Sequence, residues 1–254
     1  MLKTFNKNFN NFIKKKLLKY EYIYLTSDLR GFIKKYDIKN PDKLCESIIK
    51  NLLNHNKTIL IPTYSFTTKG IFWTNKTPTN LGYFSKWAIK QKKYFRTVHP
   101  IFSFCVIGDK VNTFKDVGKS AYGKKSVWQK LLMNKSSLLH IGRPFSLGNT
   151  IIHFVEQKVD AKYRFIKYFN KKVFNKNKYL GNNFSAFVLK PKYKKKLFKT
   201  DTNKIAKLIM KKPFYQSIGS DKNLTNFTHI DFRNSFNFMC SQFKKNKDIF
   251  INYI

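Results

Sequence analysis

In the segment Gly148–Asp160, GNTIIHFVEQKVD, an imidazole and a carboxylate stand three residues apart, at His153 and Glu156. Asn149 or Thr150 is a good start for a helix, because a side-chain oxygen at an N-cap accepts a backbone N–H that the first turn leaves unpaired. On the helix that follows, residues three apart project from one face, and Ile152, Val155 and Val159 make an adjacent apolar stripe. An imidazole beside a carboxylate is suited to general-base work: the carboxylate fixes its tautomer and stabilises the imidazolium. The same pair is a common surface arrangement, so its spacing alone does not establish catalysis.

Other chemistries find less support. Cys45, Cys105 and Cys240 are far apart and odd in number, with no CxxC pair and no His/Cys cluster at zinc-ligand spacing. Neither a disulfide framework nor a metal site is expected, which suits a reducing compartment. No apolar run approaches the roughly 18–20 residues that cross a bilayer. Met1–Tyr20, rich in Lys and Asn, lacks the apolar core and cleavage site of a signal peptide. A cytoplasmic protein is expected.

The elements that must position the pair are legible as alternating strands and helices. Glu21–Thr26, Thr58–Pro62, Phe102–Gly108 and Ser137–Ile141 read as strands. Ser27–Gly31 turns into a helix to about Tyr36, and Pro41–Asn54, Leu81–Lys92, Ser126–Met133 and Thr150–Val159 read as further helices. Thr63–Gly82 reads as a loop. This alternation predicts an α/β fold of three layers, α/β/α, around a mixed central sheet. Beyond Tyr163 the pattern weakens: the basic runs Lys171–Tyr179 and Lys190–Lys199 flank a strand at Phe184–Lys190 and read as solvated and mobile as readily as binding surface. Phe232–Ile254 closes with helical spacing. One domain over residues 1–254 is expected, best supported over 20–170, with a smaller, irregular and variable C-terminal part over 171–254.

The charge of +38, from 51 Lys and Arg against 13 Asp and Glu, invites a nucleic-acid reading. Only Arg30, Arg96, Arg143, Arg164 and Arg233 are arginine, the residue that bidentate base and phosphate recognition favours. The lysines travel with Asn, Ile, Phe and Tyr, a set that AT-rich codons explain together. A field this positive still attracts anions such as nucleotides and coenzymes.

The ordered set Ser27-Asp28-Leu29, Pro62–Phe66, His99-Pro100 with Ser103, Tyr122–Ser126 and Asn149-Thr150-x-x-His153-x-x-Glu156 resembles the aminoglycoside 3-N-acetyltransferase family over roughly residues 20–170. The resemblance implies transfer of acetyl from acetyl-CoA to an amine, with His153 as general base and Glu156 orienting it, and no metal. It implies a coenzyme site at the turn Ser27, Asp28, Leu29, Arg30 and Gly31, with Ser126. There the family's Ser-Ser-Leu reads Ser27-Asp28-Leu29, and Asp28 repels phosphate while Arg30 attracts it. Thr63, Ser65, Phe66, His99, Asn149 and Thr150 match stretches beside the coenzyme or acceptor cleft. His99 precedes Pro100 and enters a strand in extended geometry, so a structural role is equally open.

The partners implied are coenzyme A and a small-molecule amine, an amino sugar or aminoglycoside-like acceptor. Aminoglycosides are polycations and call for acidic clefts, whereas this composition is basic, so a nucleotide-linked amino sugar or another anionic amine fits the field better. The competing function is a basic nucleic-acid-binding protein without catalysis. It leaves the ordered motifs unexplained.

Overall fold

The computed structural model describes residues 2–66, 70–147, 149–194 and 198–253. Residues 67–69 of the predicted loop, Gly148 ahead of the His/Glu helix and 195–197 of the second basic run lie outside the described residues. The strands, in chain order, are β1 Tyr22–Ser27, β2 Thr58–Pro62, β3 Ile71–Trp73, β4 Phe95–Arg96, β5 Phe104–Ile107, β6 Ser136–Ile141, β7 Arg164–Asn175, β8 Lys178–Leu189, β9 Phe198–Thr200, β10 Tyr215–Ile218, β11 Phe227–Asp231 and β12 Ile251–Tyr253. The helices are α1 Leu2–Lys16, α2 Arg30–Lys35, α3 Pro41–Leu53, α4 Tyr83–Ile89, α5 Val127–Met133, α6 Ile151–Lys158, α7 Pro191–Lys194, α8 Asn203–Ile209 and α9 Phe232–Lys245.

Seven strands form one sheet in the order β10-β11-β6-β1-β2-β5-β4. The central strand β1 runs parallel to both β2 and β6, while β11, β5 and the two edge strands pair antiparallel. This is the mixed sheet that the sequence predicts. Successive side chains of a strand point to opposite faces, and β1 is apolar on both. Tyr22 and Tyr24 face a core shared with α5, α6, α8 and α9. Ile23 and Leu25 face a second core shared with α1, α3 and α4. Burying both faces of β1 and β6 requires a helical layer on each side, which is the three-layer arrangement.

Three elements were not evident from sequence. The first is α1, where Phe5, Phe9, Phe12 and Ile13 form a fully helical stripe that the intervening Lys and Asn dilute. The second is β3, which lies inside the predicted loop and pairs with β7. The third is the long β7–β8 hairpin, which takes up the first basic run. Val173 follows the exposed Lys172 there and packs with Phe72 and Phe184 in a small core of its own, while Lys171 is buried rather than solvated. The C-terminal part also completes the central sheet, since β10 and β11 belong to it and α9 covers it.

Phe227 of β11 is the point at which α1 and α2 meet the sheet. Its ring centroid lies 4.8 Å from Phe32, 5.1 Å from Phe9, 5.5 Å from Phe12 and 5.7 Å from Phe5. Truncating a buried aromatic costs about 3–5 kcal/mol. We expect Phe227→Ala to lower Tm by on the order of 10 °C in a chain of this size, measured by thermal unfolding. A shift within error would show that α1 docks independently of this cluster.

Candidate active site

The cleft opens where the parallel strands end, at the carboxyl edge on which open α/β sheets place their ligands. β1 delivers Thr26 and Ser27, β2 delivers Pro62, and β6 runs on through Gly142 to Arg143. Gly142 has φ +64°, and a side chain there would meet the Asp28 carbonyl oxygen at 2.1 Å, so only glycine lets β6 pass so close to the β1 turn. Beyond this crossing lie two cavities. The larger, about 770 Å³, is walled by α6, the β9–α8 segment and the Arg143–Leu147 turn, and His153 lines it. The smaller, about 160 Å³, lies over the ends of β1 and β2 beside Tyr24 and Tyr64. Arg143 and Thr150 line both.

α6 carries the pair as predicted, although its first turn is closed differently. The Asn149 side chain donates to the Phe145 carbonyl, and Thr150 makes no capping bond. Thr150 is already in helical geometry at φ −65°, ψ −21°, which turns its hydroxyl away from the N–H groups an N-cap accepts. Instead the turn closes through backbone bonds, from the Ile152 and His153 N–H groups to Asn149 and Thr150.

His153 Nδ1 lies 2.7 Å from Glu156 Oε2. The Glu156 side chain is completely buried, while that of His153 is 26% exposed. Two further groups hold the carboxylate, and the sequence did not reveal either role. The Tyr163 hydroxyl donates to Glu156 Oε1 at 2.8 Å, and Arg164 Nε lies 2.6 Å from Oε2. The Arg164 contact is a close ion pair rather than an aligned hydrogen bond, since its Nε–H has no well-directed acceptor. The other guanidinium nitrogens donate to the Phe187 carbonyl at 3.5 Å and to Thr200 Oγ1 at 3.1 Å. Burial alone would raise the Glu156 pKa; the hydrogen bond and charge of His153, with Arg164, outweigh it and hold the carboxyl below its usual value.

The predicted coenzyme turn sits beside the smaller cavity, where Ser27 is a wall residue. Arg30 Nε donates to Asp28 Oδ1 at 2.9 Å, so the two opposite charges expected of this turn are spent on each other. The Arg30 hydrogen bond also lowers the Asp28 pKa. Leu29 is buried beneath α2, and a side chain on Gly31 would meet the Asn223 carbonyl oxygen at 2.1 Å. Lys34, Lys35 and Lys222 line a further cavity of about 770 Å³ at the same turn.

The remaining predicted residues support the cleft from outside. Ser126 caps α5 by accepting the Gln129 N–H at 3.2 Å. Thr63 is fully buried, and its carbonyl accepts from Arg96 at 2.8 Å. Ser65 donates to the Pro100 carbonyl at 3.3 Å, and the Phe66 N–H donates to Asn80 at 2.7 Å while its ring is exposed. His99 accepts the Ile101 and Phe102 N–H groups at Nδ1, which leaves Nε2–H to donate to the Ser185 carbonyl at 3.1 Å. Its burial pushes its pKa down to about 4, so it serves as a neutral anchor for β8. None of these five lines either cavity; within Pro62–Phe66 it is Pro62 and Tyr64 that do.

No group of three or more His, Cys, Asp or Glu suited to a metal ion occurs among the described residues. No helix of the described residues is long and apolar enough to cross a membrane.

No curated protein matches the chain in sequence. Its fold is similar to that of the aminoglycoside acetyltransferase AAC(3)-IVa apoenzyme, at 15% identity and a TM-score of 0.71 over 96% of this chain and 90% of that one. The YokD protein from Bacillus subtilis is similar at 14% identity and a TM-score of 0.70, over 96% and 94% of the two chains. AAC-IIIb in its binary complex with CoASH is similar at 13% identity and a TM-score of 0.70, over 94% and 96%. A family model described as aminoglycoside 3-N-acetyltransferase matches residues 46–216, which include α6 and both residues of the His153–Glu156 pair. Matched over more than half of its length, the chain belongs to the aminoglycoside 3-N-acetyltransferase family.

Proposed function

We propose that the protein transfers acetyl from acetyl-CoA to the amine of an amino sugar or aminoglycoside-like acceptor, with His153 as general base. The observation that carries this reading is the His153–Glu156 contact at 2.7 Å on the wall of a cavity of about 770 Å³. Glu156 occupies Nδ1, which leaves Nε2 as the ring nitrogen for the cavity. An amine attacks an acyl carbon only as it loses a proton. Nε2 accepts that proton as the nitrogen bonds to the acyl carbon, and gives it up to the sulfur that departs. The imidazolium formed in between is stabilised by the buried carboxylate, whose charge Arg164 and Tyr163 maintain.

Coenzyme A supplies the acetyl group as a thioester. With Arg30 and Asp28 neutralising each other, it is Lys34, Lys35 and Lys222, lining the cavity beside the turn Ser27–Gly31, that favour a phosphate-bearing coenzyme by charge. The similar structure of AAC-IIIb, a binary complex with CoASH, supports coenzyme A as the co-substrate. The three cysteines are unpaired, which fits a cytoplasmic site of action. A nucleic-acid-binding role without catalysis gains no support from family or fold.

Calorimetry with acetyl-CoA, followed by thiol release with a panel of amino sugars, tests the reading. His153→Ala should lose about 10²–10⁴-fold in kcat while still binding acetyl-CoA; wild-type turnover that survives the substitution would overturn the base assignment. Arg164→Met leaves a buried carboxylate without its permanent countercharge and should cost about 3–5 kcal/mol of stability by urea unfolding.

The pH dependence follows from the sign of the Glu156 shift. Its folded-state value lies below the usual 4.5, so above 4.5 its charge contributes fully to stability, and that contribution is lost as pH falls through the lower folded value. The stability gap between wild type and Glu156→Gln should therefore narrow as pH is taken below 4.5. A gap that stays constant would show that the charge is not what stabilises the site.

A further inference from the structure

Arg143 and Thr150 stand on the walls of both cavities. Arg143 follows Gly142 at the end of β6, and its guanidinium donates to the Leu147 carbonyl at 2.6 Å within the Arg143–Leu147 turn. Among the described residues, the larger cavity has a single carboxylate on its wall, Asp201, and a single guanidinium, Arg143. Asp201 already accepts the Asn203 N–H at 2.8 Å at the start of α8. Glu156 is buried and committed to His153, Tyr163 and Arg164. The smaller cavity has no acidic side chain among its lining residues. The rest of the larger wall is mainly hydroxyls and amides, such as Asn149, Thr150, Thr200 and Asn203.

A polycation bearing several ammonium groups needs carboxylates to replace the water those groups lose. Among its described lining residues this cleft offers one, Asp201, inside a chain of net charge +38. It suits a different ligand. Sugar hydroxyls match the amides and hydroxyls, one amine reaches His153, and an anion meets a planar fork of donors built for phosphate. The choice of residue points the same way, because a chain that supplies lysine almost everywhere has arginine here.

We propose that the acceptor is an amino sugar with one reactive amine and a phosphate-ester anion, and that Arg143 binds that anion. This rests on the acetyl-transfer reading above and narrows its substrate class.

The test uses the full-length protein with acetyl-CoA and four acceptors: glucosamine, glucosamine 1-phosphate, UDP-glucosamine and sisomicin. Wild type should prefer a phosphorylated acceptor over glucosamine by roughly 10–100-fold in kcat/KM, the range of one charge-assisted contact. The better of the two phosphorylated probes tells a sugar phosphate from a nucleotide-linked sugar. In Arg143→Gln the preference should collapse through KM, and Arg143→Lys should restore part of it. Equal use of glucosamine and its phosphate, or preference for sisomicin, would overturn the proposal. So would an Arg143→Gln protein that keeps the preference and instead loses acetyl-CoA affinity by calorimetry, since Arg143 would then serve the coenzyme. If no probe turns over, calorimetry of glucosamine 1-phosphate on the acetyl-CoA-loaded protein decides: Arg143-dependent binding tighter than that of glucosamine supports the proposal, and its absence overturns it. A wild type that fails to bind acetyl-CoA removes the acetyl-transfer reading itself, a result distinct from a coenzyme-binding protein that ignores phosphate.

Discussion

A carboxylate taken fully out of water is a liability of several kcal/mol unless its oxygens are met by charge and hydrogen bonds. Glu156 is in that position, and much of the second half of the chain is arranged to meet it. His153 comes from the same helix, Tyr163 from the loop that leaves it, and Arg164 from the first residue of β7. Arg164 in turn reaches the Phe187 carbonyl on β8 and Thr200 on β9. One buried charge thereby ties α6 to the hairpin and to the segment that walls the larger cavity. The His153 ring is held at a fixed angle because its partner cannot move without exposing an uncompensated ion.

The same constraint separates what could be read in the sequence from what could not. His153 and Glu156 were visible because helical spacing places residues three apart on one face. Tyr163 and Arg164 were not, because their link to Glu156 depends on how the chain turns after α6 and enters β7. Helix α1 escaped for a different reason: Phe5, Phe9, Phe12 and Ile13 have helical spacing with lysines and asparagines opposite, a legible amphipathic pattern that the polar composition of the segment overshadows. The expected cap at Asn149 or Thr150 failed where one local bond displaced another, since the Asn149 amide finds the Phe145 carbonyl four residues back instead. The central strands, by contrast, were legible because burial on both faces leaves continuous apolar runs in any composition.

A local signal does survive the compositional bias, and it lies in the arginines. Lysine provides a mobile point charge, whereas the guanidinium holds several donors in one plane. Arg30 uses that plane on Asp28, and Arg233 on the Leu132 carbonyl. Arg96 is buried among the Thr63 and Thr77 carbonyls and Ser103, with its guanidinium 4.9 Å from the Phe72 ring centroid. Arg164 secures Glu156, and Arg143 stands on the walls of both cavities. All five arginines therefore sit at sites where the planar fork matters.

This bears on the meaning of +38. A charge excess made of exposed lysines sets a long-range field that salt screens within about 10 Å at 0.1 M. It draws anions toward the surface but selects none. Selection needs charge fixed at short range against a shaped wall, and among the described residues that line the larger cavity that charge comes from Arg143 and Asp201 rather than from lysine. The nucleic-acid reading took the field for a site. The site has the opposite character: three ionisable groups in a wall otherwise made largely of hydroxyls and amides, at the carboxyl ends of β1, β2 and β6. The field and the cleft therefore act at different ranges: the field draws anions toward the surface, and only the cleft sets fixed groups of both signs against a shaped wall.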